Sequence, residues 1–159
     1  MNYDFSPEEV KETAEQYFRD GKYYCSEAIV NSIRDHIAPE MSEDCLRMAS
    51  GFPVGMGKTK CSCGAVTGAI LALGYFFGRD EGSTPKDPKS VKTLELSAEL
   101  NHFFRENNGK NKVTCCSVLT RGMDMASGEH KEQCIYFTGM MAKKLAEIFQ
   151  REIKEEQHA

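Results

Sequence analysis

Apolar residues recur along this chain at spacings of three and four, with no sustained period-two alternation, and that rhythm belongs to helices with one buried face. Ser6 caps a first helix with Pro7 in its first turn and Glu9 completing a capping box. Val10, Ala14, Tyr17 and Phe18 form its inner side, and Gly21 ends it. A second helix, from about Tyr23 to His36, aligns Cys25, Ala28, Ile29, Ser32 and Ile33 and stops at Ala38-Pro39. Ser42 starts a short third helix through Cys45 and Met48, and the run from Gly51 to Gly57 forces a loop. From Ala65 to Phe77 the sequence is apolar almost all round. This marks a central buried helix, since a bilayer span needs about 20 such residues. Gly78 closes it, and Asp80 to Pro85 is a solvated loop. Asp87-Pro88 starts a long polar helix to about Asn107, whose buried side is Val91, Leu94, Leu96, Leu100, Phe103 and Phe104. Thr114 caps a short helix beginning at Cys115-Cys116. A last helix, from about Glu129 to Glu155, aligns Cys134, Phe137, Thr138, Met141, Leu145 and Ile148. The expected fold over residues 1–159 is therefore all-α, a single-domain bundle of about five to seven helices around a central helix rich in small residues.

Composition narrows the function. A chain of 159 residues with 40% hydrophobic content suits one core. A formal charge of −4 with no Lys/Arg block argues against nucleic acid or an anionic membrane, and no membrane insertion is expected. The first residues lack a basic and an apolar region, so the expected location is cytoplasmic and reducing. Seven cysteines, an odd number, then point to metal binding, redox work or burial rather than to a disulfide framework.

Cys61-Ser62-Cys63-Gly64 places two thiols where a glycine-rich loop becomes an apolar helix. Free N–H groups and the helix dipole favour a thiolate there, so Cys63 is expected to be the most acidic thiol, with Cys116 in a similar position and Cys25 and Cys134 in helix interiors. Gly64 and Gly68, with Ala65, Ala69 and Ala72, let neighbouring helices approach closely and leave room for a bound group. Gly51 to Gly64 lacks the terminal Lys-Ser/Thr and the preceding strand of a phosphate loop, which argues against nucleotide binding. His36, His102, His130 and His158 are isolated from one another, and Met123, Met125, Met140 and Met141 could contact a cofactor but read more readily as flexible core filling.

The order of motifs resembles a known family, the small redox-active proteins named for a C…CGAxxG…C…C pattern. Here it reads Cys25 in Tyr24-Cys25-Ser26-Glu27-Ala28, then Cys63-Gly64-Ala65-Val66-Thr67-Gly68-Ala69, then Cys116-Ser117-Val118-Leu119, then Cys134, over roughly residues 20 to 150. The resemblance implies an all-helical fold and a redox or electron-transfer role. The family is also similar to the non-haem helical part of split-Soret cytochromes, for which an iron–sulfur centre is suspected. Cys45, Cys61 and Cys115 are additions to the pattern, and Cys116 fits the Cys-x-x-Leu register better than Cys115.

Three chemistries then stay open for Cys25, Cys63, Cys116 and Cys134. One is a thiolate site for an iron–sulfur cluster or other soft metal, with the four cysteines as ligands and Gly64 and Gly68 permitting close approach. Another is thiol–disulfide exchange, with Cys63 or Cys116 attacking and a second cysteine resolving. The last is a helical structural or interaction module with zinc or merely buried cysteines. The partner expected for the redox readings is a protein or a small-molecule electron acceptor, and a homodimer stays open.

Overall fold

The computed structural model describes residues 1–110 and 112–158, the side chains of Glu156 and His158 excepted, so the reading of His158 lies outside the described residues. Among the described residues the fold is all-α. Its helices are α1 (Pro7–Arg19), α2 (Cys25–His36), α3 (Glu43–Ala49), α4 (Pro53–Met56), α5 (Gly64–Phe77), α6 (Pro88–Asn107), α7 (Cys116–Leu119) and α8 (Gly128–His158). These are eight segments rather than five to seven, because α4 is a single turn within what reads as loop.

Local signals set most boundaries. Ser6 Oγ accepts the Glu9 N–H at 3.4 Å, with Pro7 in the first turn of α1. Helix α2 begins at Cys25, two residues later than expected, because Glu27 Oε2 accepts the Tyr24 N–H at 3.0 Å and makes Tyr24 the cap. Cys25 therefore opens its helix and does not lie within it. Ser42 precedes α3, but its Oγ pairs with Cys45 Sγ at 3.7 Å and makes no bond to the helix backbone. Thr114 does not cap α7; Cys115 occupies that position, and the Thr114 carbonyl accepts the Cys63 N–H at 2.8 Å.

Helix α5 sits against α2, α6 and α8, while α1 lies along α8, and their buried faces merge into one apolar cluster. Val10, Ala14, Ile29, Ile33, Ala65, Ala69, Leu73, Leu100, Phe104, Met141 and Leu145 are all fully buried. Val91 and Leu94 break the expectation for α6, being 42% and 69% exposed. Only Leu96, Leu100 and Phe104 of the predicted stripe are buried, so the stripe meets the core from Leu96 onward. No helix of the described residues is long and apolar enough to cross a membrane.

The contact that sets the layout is between α2 and α5. A side-chain carbon at Gly68 would sit 2.5 Å from Ser26 Cα and 2.9 Å from Ser26 O, so the two backbones touch. Gly74 of the same helix has nothing within 4 Å of where such a carbon would be. Gly68→Ala is expected to destabilise by about 1–3 kcal/mol through overpacking against backbone. Gly74→Ala is expected to stabilise by about 0.5–1 kcal/mol through helix propensity. Urea denaturation of the two variants checks the pair; equal effects would refute the contact.

Candidate functional site

Three helix starts and one helix flank meet around a cavity of about 100 Å³, and each brings a cysteine to it. Cys25 is the first residue of α2, Cys63 is the N-cap of α5, Cys116 is the first residue of α7, and Cys134 lies near the start of α8. Ala65, Phe137 and Val54 make the rest of the wall largely apolar, and His130 adds an imidazole whose Nε2 is 3.6 Å from Cys134 Sγ. The α2 and α5 thiols lie side by side because Gly64 has no side chain: a carbon there would collide with Cys25 Sγ.

The loop before Cys63 is held in an unusual shape. Val54, Gly55, Met56 and Gly57 all have positive φ, as do Lys58 and Lys60. A β-branched residue in that region is a true outlier and costs on the order of 1–3 kcal/mol. The bonds that hold the turn are Met56 N–H to Phe52 O at 2.8 Å, Gly57 N–H to Pro53 O at 3.0 Å and Cys61 N–H to Gly55 O at 2.9 Å. An antiparallel bridge then ties this loop to the segment before α7, pairing Ser62 with Cys115. In it Cys116 N–H donates to Cys61 O at 2.5 Å, and Ser117 N–H donates to Lys60 O at 2.9 Å. Gly55 completes the arrangement, since a carbon there would lie 2.6 Å from Cys61 N and 2.7 Å from Cys116 Cβ. Loop and bridge thus carry Cys63 and Cys116 to the cavity as one unit.

Electrostatics run against the expectation for Cys63. Burial pushes its thiol far up, and the neighbouring Cys25, Cys134 and Cys116 add to the rise, outweighing the Ala65 amide that points the other way. Burial also lifts Cys25 to about 11 against the Val54 and Ser26 amides, and Cys134 to about 12. Cys116 is raised by burial, with Lys60 opposing. Cys63 is therefore not the most acidic thiol. That place goes to Cys115, outside the cavity, whose pKa is lowered chiefly by its hydrogen bond with Ser117 Oγ at 3.1 Å. His130 is held below its ordinary value by burial and by Lys60, which keeps it neutral.

The family model described as "Putative redox-active protein (C_GCAxxG_C_C)" matches residues 23–148, most of the chain. The chain belongs to this family. Among curated proteins and solved structures, none matches. The redox-active character of the C_GCAxxG_C_C proteins is thus what membership carries, and the four pattern cysteines are the ones the fold gathers.

The donor set is four soft sulfurs in an apolar setting, which suits a thiolate-bound metal group. Among the described residues, no three His, Cys, Asp or Glu side chains stand as a group that could hold a metal ion. Gly64 lines the cavity, whereas Gly68 does not and serves the α2–α5 contact. Cys61 is exposed, Cys115 half-buried on the outer side of the bridge, and Cys45 packs against the apolar core away from the cavity. Sequence reasoning missed His130, although its position four residues before Cys134 on one helix was a signal. It also missed Lys60; of the methionines, Met125 lines the cavity, whereas Met140 and Met141 fill the core.

Two expected outcomes follow for the metal-free protein. Brief alkylation at neutral pH labels Cys61 and Cys115 before Cys25, Cys63 or Cys134, and Ser117→Ala slows Cys115; peptide mapping that finds Cys63 first would overturn this. Thiols held neutral by folding contribute stability that is intact below their ordinary pKa of 9.0 and lost as pH rises through the folded value of about 11 for Cys25. Urea midpoints should therefore fall between pH 9 and 11, and less so in Cys25→Ala measured against its own neutral value.

Proposed function

We propose that this protein transfers electrons through an iron–sulfur or other thiolate-bound metal centre held by Cys25, Cys63, Cys116 and Cys134. The observation that carries the reading is their convergence, from four separate helices, on one small and mostly apolar cavity. Thiol–disulfide exchange needs an accessible thiolate, and burial raises all four pKa values, so that reading is disfavoured for the cavity cysteines. A structural zinc site would draw on the same four sulfurs, and metal content separates the two readings.

An iron–sulfur centre bound here would take up and release single electrons. The chain's own groups supply the rest. Each thiol gives up a proton on ligation, the Val54, Ser26 and Ala65 amides donate toward the sulfurs of Cys25 and Cys63, and Lys60 offsets negative charge at Cys116. Phe137, Val54 and Ala65 keep water from the sulfurs. His130, neutral and beside Cys134, can accept the proton that Cys134 releases.

Anaerobic reconstitution with iron and sulfide tests this. The expected product is brown, with iron and acid-labile sulfide in the protein fraction, and loading improves as pH rises because the ligands must lose protons. Cys63→Ser abolishes retention, whereas Cys45→Ser, lying away from the cavity, leaves it nearly intact. A colourless protein with one equivalent of zinc, or a metal-free one cycling through a cavity disulfide, would replace the proposal with one of its competitors.

A further inference from the structure

Behind the thiol cavity lies a second, larger space. A cleft of about 530 Å³ runs between the turn joining α1 to α2 and the start of α8, within the roughly 300–1,000 Å³ typical of small-molecule sites. Phe18, Tyr24, Met125 and His130 line both this cleft and the thiol cavity, so a single layer of side chains separates a molecule in one from the sulfurs of the other.

The cleft's walls specify what it would accept. Phe18, Tyr23 and Tyr24 bring aromatic rings to the lining and Met125 a thioether, groups that pack against a flat aromatic ring; Tyr23 also meets the Tyr17 ring, at 5.2 Å between centroids. Tyr24 is 56% exposed although it is held by its backbone at the head of α2, so its ring is presented to the opening rather than used in the core. Lys22 and Lys131 supply positive charge on a chain whose net charge is −4. The carboxylate among the lining residues, Glu27, has both oxygens engaged, one by the Tyr24 N–H at 3.0 Å and the other by Ser50 Oγ at 2.8 Å. Lys22 Nζ rests over the Tyr17 and Tyr23 rings at 4.5 and 5.3 Å, and Lys131 Nζ donates to Arg19 O at 2.7 Å. Each ammonium therefore keeps donors for an anion.

We propose that this cleft binds a planar aromatic molecule bearing an acidic group, of the chemical class of flavin mononucleotide. The ring lies among Phe18, Tyr23, Tyr24 and Met125, and the acid meets Lys22 and Lys131. That such a ligand serves the cysteine centre rests on the electron-transfer reading above; the binding does not.

Titration of the metal-free protein with flavin mononucleotide, followed by quenching of flavin fluorescence, tests the binding. The expected result is saturable one-to-one binding, with riboflavin, which lacks the phosphate, roughly tenfold weaker. The double variant Lys22→Ala/Lys131→Ala should bring flavin mononucleotide down to the riboflavin level, and Tyr24→Ala should weaken both, with thermal melts confirming that each variant folds. Cys63→Ser should bind as the parent does, so failure of the metal centre shows in reconstitution and not here. If flavin mononucleotide and naphthoquinone-2-sulfonate both fail to saturate, or bind equally well to the lysine and Tyr24 variants, the proposal is overturned.

Discussion

Helices α2 and α5 meet with no α5 side chain between them at two positions, because Gly68 lies against the Ser26 backbone and Gly64 against Cys25 Sγ. The pairing of Cys25 with Cys63 at the thiol cavity follows from that approach. Close-packed backbones bring the start of α2 beside the start of α5, and those two starts carry Cys25 and Cys63. Ser26 could not be large, and it is buried with its Oγ donating to Ala49 O at 2.9 Å, which anchors α3 to the same spot. The family's CGAxxG spacing thus has a mechanical meaning here: one glycine sits against the sulfur, and the next, one helical turn on, sits against the backbone.

The second pair of cysteines depends on a strained element. Left-handed backbone through Val54 to Gly57 turns the chain so tightly that Gly55 touches both the Cys61 amide and Cys116 Cβ. Strain of this size persists where the surroundings over-determine it. Here the bridge between residues 60–63 and 114–117 does so, and the Thr59 hydroxyl adds a bond to Gly55 O at 2.7 Å. A loosened loop would move Cys63 and Cys116 together, since the bridge joins them.

Most of the bundle was legible in the sequence, and the reasons are local. Ser6-Pro7, Asp87-Pro88 and the apolar run from Ala65 to Phe77 marked their helices because caps and periodicity are written in neighbouring residues. The exposure of Val91 and Leu94 was not legible, because which part of a helix meets the core depends on its tilt against α5 and α8, a tertiary property. The start of α2 was misplaced by two residues because Tyr24 caps through its backbone, not with a hydroxyl or carboxyl group of its own. At the site, the four pattern cysteines were named from their motif. The left-handed turn and the bridge that gather Cys63 and Cys116 were not, since a run of positive φ through Val54 and Met56 contradicts what those residue types favour.

The acidity of Cys63 shows which physical effect wins when two compete. A helix start favours an anion by about 0.3–1 kcal/mol at an exposed position, and by about 2 kcal/mol at best. Full burial of an ionisable group moves its pKa by up to about 3–5 units, each worth 1.36 kcal/mol, so burial prevails at Cys63 and Cys25. The same comparison extends to the set. Each anionic sulfur would raise the cost of the next, since Cys25, Cys116 and Cys134 all act on Cys63. Lys60 is a cation that acts on one of these thiols, at Cys116. One lysine does not balance four thiolates. On the proposed reading, sulfurs that are poor acids in isolation, yet line one cavity, receive a positively charged soft group that takes the protons' place.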